Sequence, residues 1–404
     1  MVKVYKIALT GGPCSGKTSS MKALIDKFSG EFKVFTLPEM ATTIVNAGVT
    51  IIPSEFTETS HTVFTKGICQ LQMDVEKFFD NEAKTQKKDV IIITDRGVMD
   101  NFAYCSPAVR SRVFKETGWN HNFVCMERYD LVIHLVTAAQ GAAEFYSLEN
   151  NEARTETPEL AKFFDKKIRE EWMIHPRFTL IDNSLPGFQK KLDRVVNAVS
   201  SLVYKKHMST KMVKLLLDCS AECIKYPENT KIEVKEEEVT YLVSNDPNLI
   251  SSVKKVTVNN SAISTFVHTA RVLNLKEEDH LETKRTIDIK SYFDFVNNKD
   301  PSRNVVKRKI ISFSVATSTH VNVYHLEMYK MDSEDGQKKL SQLKSQAFGE
   351  NQWKNQDFVI LRGFTDTGGF PEKAFESWLP KHKDVTNMKN FFVNEIAKHV
   401  STNN

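Results

Sequence analysis

The run Gly11-Gly12-Pro13-Cys14-Ser15-Gly16-Lys17-Thr18 limits what this chain can fold into more than any other stretch. It fits the P-loop (Walker A) spacing G-x-x-x-x-G-K-[ST]. An apolar, strand-like run precedes it at Val4–Leu9 and a helical pattern follows, which is the context the motif needs. Glycines let backbone N–H groups curl around an anion with no Cβ in the way. A helix starting at Gly16 and Lys17 turns its positive dipole end toward the same anion. Lys17 adds a full charge at the β- and γ-phosphates, and Thr18 offers a hydroxyl to Mg²⁺. The expected cofactors are therefore Mg²⁺ with GTP or ATP, held by Gly11, Gly12, Pro13, Cys14, Ser15, Gly16, Lys17 and Thr18.

The rest of the first half alternates. Further strand-like runs lie at Phe32–Leu37, Val90–Thr94, Leu131–Val136 and Phe178–Ile181. Between them, Phe64, Ile68, Leu71, Val75 and Phe78 recur at helical steps within Thr59–Ala83. Leu160, Phe163, Phe164, Ile168 and Trp172 form a second such stripe. Strand and helix in alternation predict an α/β domain, a parallel sheet with helices on both faces. After a helix near Phe188–Tyr204, a polar linker begins at Lys205-Lys206-His207, and long strand-like runs take over. They are Met212–Leu217, Ile232–Val243, Ser264–Leu273, Val305–Val315 and Val321–Met328, with helical patterns at Gln337–Gln346, Glu372–Leu379 and Met388–Val400. The expectation is two domains, 1–207 and 208–404, the second α+β with an antiparallel sheet or barrel.

Three further positions point to chemistry. Val90-Ile91-Ile92-Ile93-Thr94-Asp95-Arg96 is an apolar strand ending in an acid, and Asp95 beside a P-loop is expected to hold Mg²⁺. Glu39 follows the second strand, where it is either a general base or an acid at a helix N-terminus. Arg154, Arg169 and Arg177 lie in or after a polar stretch that could close over a nucleotide and bring an arginine, Arg154 first, onto the phosphates. The expected catalytic set is Lys17, Glu39, Asp95 and Arg154.

In the second half Lys231, Glu233, Lys235 and Glu237 share one strand face, and Lys307 and Lys309 another. With Arg271, Lys284, Arg285 and Arg308 they form the expected anion-binding set, suited to polyphosphate or a phosphorylated headgroup if the sheet curls. The net charge of +4 gives no argument for nucleic acid. Cys219 and Cys223 are the only close cysteines and have no second Cys or His pair, so free thiols are expected rather than zinc. MVKVYKIALTGG lacks a secretory pattern, and a cytoplasmic protein is expected.

The segments TLPEMATTIVNAG, ITDRGVMDN, HLVTAAQGAAEFYSLENNEARTETPELAKFFDKKIREEW and HPRFTLIDN give the first half a more specific character. They resemble the NTPase module of the TRPL translocation defect protein 14 family, which is similar to the nucleotide-binding domain of NadR-type kinases. In that family a CYTH-like domain follows, an antiparallel tunnel related to triphosphate-processing enzymes. ETKRTIDIKSYFDFVNNKDPSRNVVKRKIISF and VNVYHLEMY are compatible with it. Catalytic CYTH tunnels open with an E-x-E-x-K strand; here Lys235 stands where the second acid belongs, which favours binding over hydrolysis. The resemblance implies GTP binding, phosphoinositide binding at a membrane surface, and a role in moving membrane-protein cargo. It supplies no guanine-reading residue, and no N/T-K-x-D signature is present. The expected function is a nucleotide-binding regulator with slow or no hydrolysis. The alternative is a small-molecule kinase of the nicotinamide riboside type using Glu39 as base, and a tunnel triphosphatase is a third reading.

Overall fold

Strands that read as unbroken apolar runs have to be covered on both faces, and here they are. Ile7, Ala8 and Leu9 of β1 (Val4–Gly11) are fully buried, as are Ile91 and Ile93 of β3 (Val90–Asp95) and Val132 and Ile133 of β4 (Leu131–Leu135). With β2 (Lys33–Leu37) and β5 (Phe178–Ile181) they form a parallel sheet in the order β2-β3-β1-β4-β5. On one face α1 (Lys17–Phe28) and α6 (Phe188–Val203) pack Leu24, Phe28, Val195 and Val199 against Ile7, Leu9, Ile93 and Ile133. Near β2, α3 (Glu58–Lys84) sets Val75, Phe79 and Ala83 on Leu37, Val90 and Ile92. The register pairs Leu9 with Asp95 and Gly11 with Leu135, so the P-loop, Asp95 and the end of β4 meet at one edge of the sheet. Ligands of open α/β sheets bind outside such carboxyl ends.

The computed structural model describes residues 2–119, 121, 123–146, 157–185, 187–204, 211–220, 224, 226, 230–259, 264–273, 280–316, 321–350, 352–365, 380–388, 391 and 393–398. The chain divides into two compact units, Met1–Met208 with Ala316–Val321, and Ser209–Val315 with Asn322–Asn404. Two helical stripes sit differently from expectation. In α3, Leu71 and Phe78 are exposed, while Thr65, Ile68, Gln72 and Glu76 are buried. In α5 (Pro158–Trp172), Leu160 and Phe163 are exposed, while Asp165, Arg169 and Trp172 are buried. Ile68, Ile168 and Trp172 of the expected stripes do face inward, but they share that side with polar groups that hold the site, which apolar spacing alone could not show.

The second unit is built on a nine-stranded sheet ordered β10-β9-β8-β7-β11-β12-β13-β6-β14. Its strands are β6 (Lys211–Leu217), β7 (Glu233–Tyr241), β8 (Leu249–Val258), β9 (Ser264–Leu273), β10 (His280–Ile287), β11 (Val306–Ala316), β12 (Val321–Lys330), β13 (Phe358–Thr365) and β14 (His382–Asp384). Pairing is antiparallel at the registers of β6 to β10 with their neighbours. Among the described residues the sheet ends at β10 and β14 and does not close, so the barrel expected from the sequence is corrected to an open antiparallel sheet. α7 (Ile289–Val296) packs Tyr292 and Val296 against Val253 and Phe266, and α8 (Glu334–Phe348) packs Leu343 and Ala347 against Leu216, Tyr329 and Phe358. Of the two later helical patterns, Glu372–Leu379 lies outside the described residues, and Met388–Val400 contains a single described helix, Val393–Ile396. Cys219 is buried; Cys223 lies outside the described residues. No helix among the described residues is long and apolar enough to cross a membrane.

Ile93 of β3 is fully buried in the core between the sheet and helices α1 and α6. Ile93→Ala should cost about 2–5 kcal/mol, read as a lower urea midpoint for this unit. The exposed control Val63→Ala should stay within about 0.5 kcal/mol; equal shifts for the two would contradict the packing described.

Candidate functional site

Where β1 ends, Gly11 takes φ 143°, and a Cβ there would lie 2.1 Å from the Leu135 carbonyl oxygen. Gly16 sits at φ 92° as the N-cap of α1, a left-handed conformation that glycine adopts without strain. Between them the loop is pinned from outside. Asp165 Oδ1 accepts the Gly12 N–H at 3.1 Å and the Thr137 N–H at 2.8 Å. The Thr137 hydroxyl donates to the Pro13 carbonyl at 2.5 Å, and the Ala138 N–H to the Cys14 carbonyl at 3.1 Å. Burial would raise the Asp165 carboxyl, but His134, Arg169 and the Thr137 amide facing it bring it down to about 2. Asp165 is therefore a fixed anion behind the loop, not a proton carrier.

Two cations converge on one carbonyl. Lys17 Nζ donates to the Gly11 oxygen at 3.2 Å and the Gly12 oxygen at 3.4 Å. Arg96 Nη1 donates to the same Gly11 oxygen at 3.4 Å. Burial, with Arg96 adding to it, pushes the Lys17 ammonium down to about 8, against the pull of Asp95, Glu39 and Asp100. A pair of like charges held together at a P-loop is a site made for an anion.

The acids around this pair have distinct tasks. Asp100 is buried and caps the turn after β3: its carboxylate accepts the Gly97 N–H at 2.9 Å, the Trp172 indole N–H at 3.1 Å and the Thr10 hydroxyl. That leaves Asp95 uncommitted. Its Oδ1 is buried with no hydrogen-bond partner among the described residues, and burial, with Lys17 and Arg96 opposing, raises its carboxyl. An orphaned carboxylate oxygen facing the phosphate loop fits Mg²⁺, which takes one or two carboxylates, a loop hydroxyl such as Thr18 and phosphate oxygens. No group of three His, Cys, Asp or Glu side chains suited to a metal occurs among the described residues, so a metal held without nucleotide is not expected of this site.

Glu39 is the N-cap residue of α2 (Met40–Asn46), but its side chain makes no capping bond. Its carboxylate accepts Arg96 Nε at 2.5 Å and the Thr42 hydroxyl at 3.0 Å. Burial works the other way, but Arg96 and Lys17 hold it below the usual carboxylate range. A carboxylate held down and engaged on both oxygens is a weak base as it stands. Arg154 lies outside the described residues. Arg169 is corrected from a lid arginine to a buried partner of Asp165, 3.1 Å away, and Arg177 is exposed and does not line the cleft.

The cleft measures about 1420 Å³, above the ~300–1,000 Å³ of an ordinary ligand pocket. It has two arms. Leu185 and Phe188 flank the loop on one, with the Phe188 ring against Gly16. The other is lined by Phe56, His61, Phe64, Tyr104 and Phe164, with Phe56 stacked on His61 at 4.9 Å. The volume suits a nucleotide and a second group.

In the second unit, strand alternation separates the basic runs. Lys307, Arg308 and Lys309 stand opposite Glu238, Glu237 and Glu236, so Arg308 takes one face and Lys307 and Lys309 the other. Lys284 and Arg285 divide likewise, opposite Thr269 and His268, and Arg271 faces Glu282. Neither run is a single patch. Lys307 pairs with Asp332 at 2.5 Å on an exposed edge, and Arg285 lies 6.0 Å over the Phe295 ring. The dense cluster is built across strands: Arg308 binds Glu237 at 2.6 Å, Lys235 binds Glu237 at 2.9 Å, and Arg362 binds Glu327 at 3.0 Å. Lys254, opposite Val239, is pushed down to about 8 by burial, with Arg308, Lys284 and Lys235 adding to it against Glu237. Lys214, Lys235, Lys254, Arg308 and Arg362 outnumber Glu237 and Glu327 there.

Asp100, Asp165 and Lys254 escaped the sequence reading, and Arg96 entered it only as the neighbour of Asp95. Only Asp100 left a signal, an acid three residues after Gly97 at a turn start; the others are defined by partners far along the chain.

The Lys17 charge gives a pH test. Polyphosphate binding uses the ammonium form, which the free protein loses as pH rises through about 8. Nucleotide affinity should fall about twofold from pH 7 to 8 and then up to about tenfold per unit. Lys17→Met should bind weakly at every pH; a wild-type affinity unchanged from pH 7 to 10 would contradict the placement.

A family model described as an AAA domain matches residues 6–187. No curated protein matches the sequence. Among solved structures, the chain is similar to the hypothetical protein NE1496, with 10% identity, 48% of this chain and 99% of that chain covered, and a TM-score of 0.28. It is also similar to PH1819 protein from Pyrococcus horikoshii OT3, with 10% identity, 43% and 93% covered, and a TM-score of 0.24. At such scores the likeness says nothing of fold or function. The family match and the parallel sheet with its glycine loop agree on one statement: residues 6–187 are a P-loop NTPase module.

Proposed function

We propose that this protein binds a Mg²⁺-nucleoside triphosphate, GTP first and ATP second, and acts as a nucleotide-dependent regulator rather than a fast hydrolase. The observation that carries it is the pair Lys17 and Arg96 on the Gly11 carbonyl beside the uncommitted Asp95. The loop amides and these cations would take the β- and γ-phosphates; Asp95 and Thr18 would hold Mg²⁺, which supplies charge neutralisation there. Slow chemistry is favoured by Glu39, whose oxygens are engaged by Arg96 and Thr42 and whose basicity is held down. The cation excess around Lys254 and Arg308 favours a polyphosphorylated anion for the second unit, such as a phosphoinositide headgroup on a membrane carrying protein cargo. That last step rests on the family resemblance.

A second reading, transfer to a small acceptor, is favoured by the aromatic arm of the cleft at Phe56, His61 and Tyr104. There Glu39 would leave Arg96 and take the acceptor's proton.

Phosphate release separates the two. The regulator predicts slow release that no nucleoside or sugar acceptor speeds, and a change under about threefold in Glu39→Ala. Acceptor-dependent turnover that falls by about 100-fold in Glu39→Ala would favour the kinase. For the second unit, Lys254→Ala should weaken inositol hexakisphosphate binding about tenfold or more; equal binding by wild type and variant would remove that part of the proposal.

A further inference from the structure

Arg96 has a backbone that arginine does not choose. Its φ is 69°, in the left-handed region where residues other than glycine are uncommon. That twist is what turns the guanidinium back toward Gly11 and Glu39. Its N–H is fixed by the Leu9 carbonyl of the neighbouring strand at 3.0 Å. Its carbonyl is fixed by a side chain: Gln72 Nε2, from α3, donates to Arg96 O at 2.9 Å.

Gln72 is in turn held on every side. Its Oε1 accepts Asn101 Nδ2 at 3.3 Å, and its Nε2 also reaches Glu76 Oε1 at 3.2 Å. Glu76 is buried and accepts the Tyr129 hydroxyl at 2.6 Å and Arg128 Nε at 3.1 Å. The Tyr129 hydroxyl accepts the Val98 N–H at 2.9 Å, which ties the same network to the residues after Arg96. These groups occupy the inward side of α3, where packing alone would be served by apolar side chains. A buried polar network of this kind fixes one geometry, because any change leaves a group unsatisfied.

We propose that Gln72 is a positioning residue that sets Arg96 against the terminal phosphate of the bound nucleotide. The proposal rests on the nucleotide reading above and adds the residue that gives the site its preference for a triphosphate over a diphosphate. Arg96 meets the ligand at the Gly11 carbonyl it shares with Lys17, where a P-loop lysine meets the β- and γ-phosphates. Gln72 lines the cleft, but its amide is committed to protein groups. It acts through the Arg96 carbonyl, by holding a backbone twist that the arginine would otherwise leave.

The test is a ratio of dissociation constants, Mg-GDP over a Mg-bound non-hydrolysable GTP analogue, with the adenine pair run in parallel. It needs no turnover. Arg96→Ala and Gln72→Met should each lower the ratio about tenfold, the larger loss falling on the triphosphate analogue. The double variant should match Arg96→Ala, since Gln72 then has nothing to position. Gln72→Leu removes the same donor without adding a charge beside Glu76 and should behave like Gln72→Met. A ratio unchanged in both Gln72 variants would overturn the proposal. So would a Gln72 effect equally large with and without Arg96, the signature of a general structural role. If wild type binds neither nucleotide, the nucleotide reading falls and this one with it; if wild type binds and only the Gln72 result fails, the nucleotide reading stands.

Discussion

The Gly11 carbonyl carries two cations, and the rest of the nucleotide unit is arranged so that it can. Lys17 and Arg96 repel each other, and burial makes the repulsion dearer. Asp95, Glu39 and Asp100 offset it from three sides. Each acid arrives on a different element: Asp95 at the end of β3, Glu39 after β2, Asp100 in the turn that follows Arg96. Only a parallel sheet with adjacent β1, β3 and β2 brings those ends together. A polyphosphate would relieve the repulsion directly, so the fold and the ligand answer one electrostatic problem.

The loop itself is held by contacts made within the protein. Asp165 gathers Gly12 and Thr137, and Asn183 Nδ2 gathers the Thr137 and Gln140 carbonyls at 2.8 and 2.7 Å. Lys191 Nζ donates to Asn183 Oδ1 at 2.8 Å and to the Val136 carbonyl at 2.7 Å. The cradle is thus rigid before any anion enters, and little ordering remains to oppose binding. The second unit follows a different rule. Its charged cluster is assembled across β7, β8, β11, β12 and β13, and its ion pairs are buried. Glu237 and Glu327 compensate much of the positive charge, so whatever binds there must compete with them or use the charge at Lys254.

How much of this could be read from the residues depends on how local the cause is. The P-loop was legible because its glycines answer to their own backbone: φ 143° at Gly11 and 92° at Gly16 leave little else possible. Strands β1, β3 and β4 were legible because burial on both faces leaves unbroken apolar runs. β8 and β10 were not, since Ser251, Ser252, Lys254 and Lys255 in one, and Glu282, Thr283, Lys284 and Arg285 in the other, hide a strand under polar residues. The basic runs at Lys284-Arg285 and Lys307-Arg308-Lys309 misled because adjacent residues on a strand face opposite ways. Asp165 and Gln72 were beyond reach, as their partners Gly12 and Arg96 lie 153 and 24 residues away.

Calorimetric titration of the full chain with GTP, in Mg²⁺ and then in EDTA, tests the central claim most directly. The site described predicts saturable binding at one site per chain that weakens about tenfold or more when Mg²⁺ is removed and is lost in Lys17→Ala. Binding that is indifferent to Mg²⁺, or that survives in Lys17→Ala, would show that the Gly11 carbonyl and its two cations are not where the nucleotide is held.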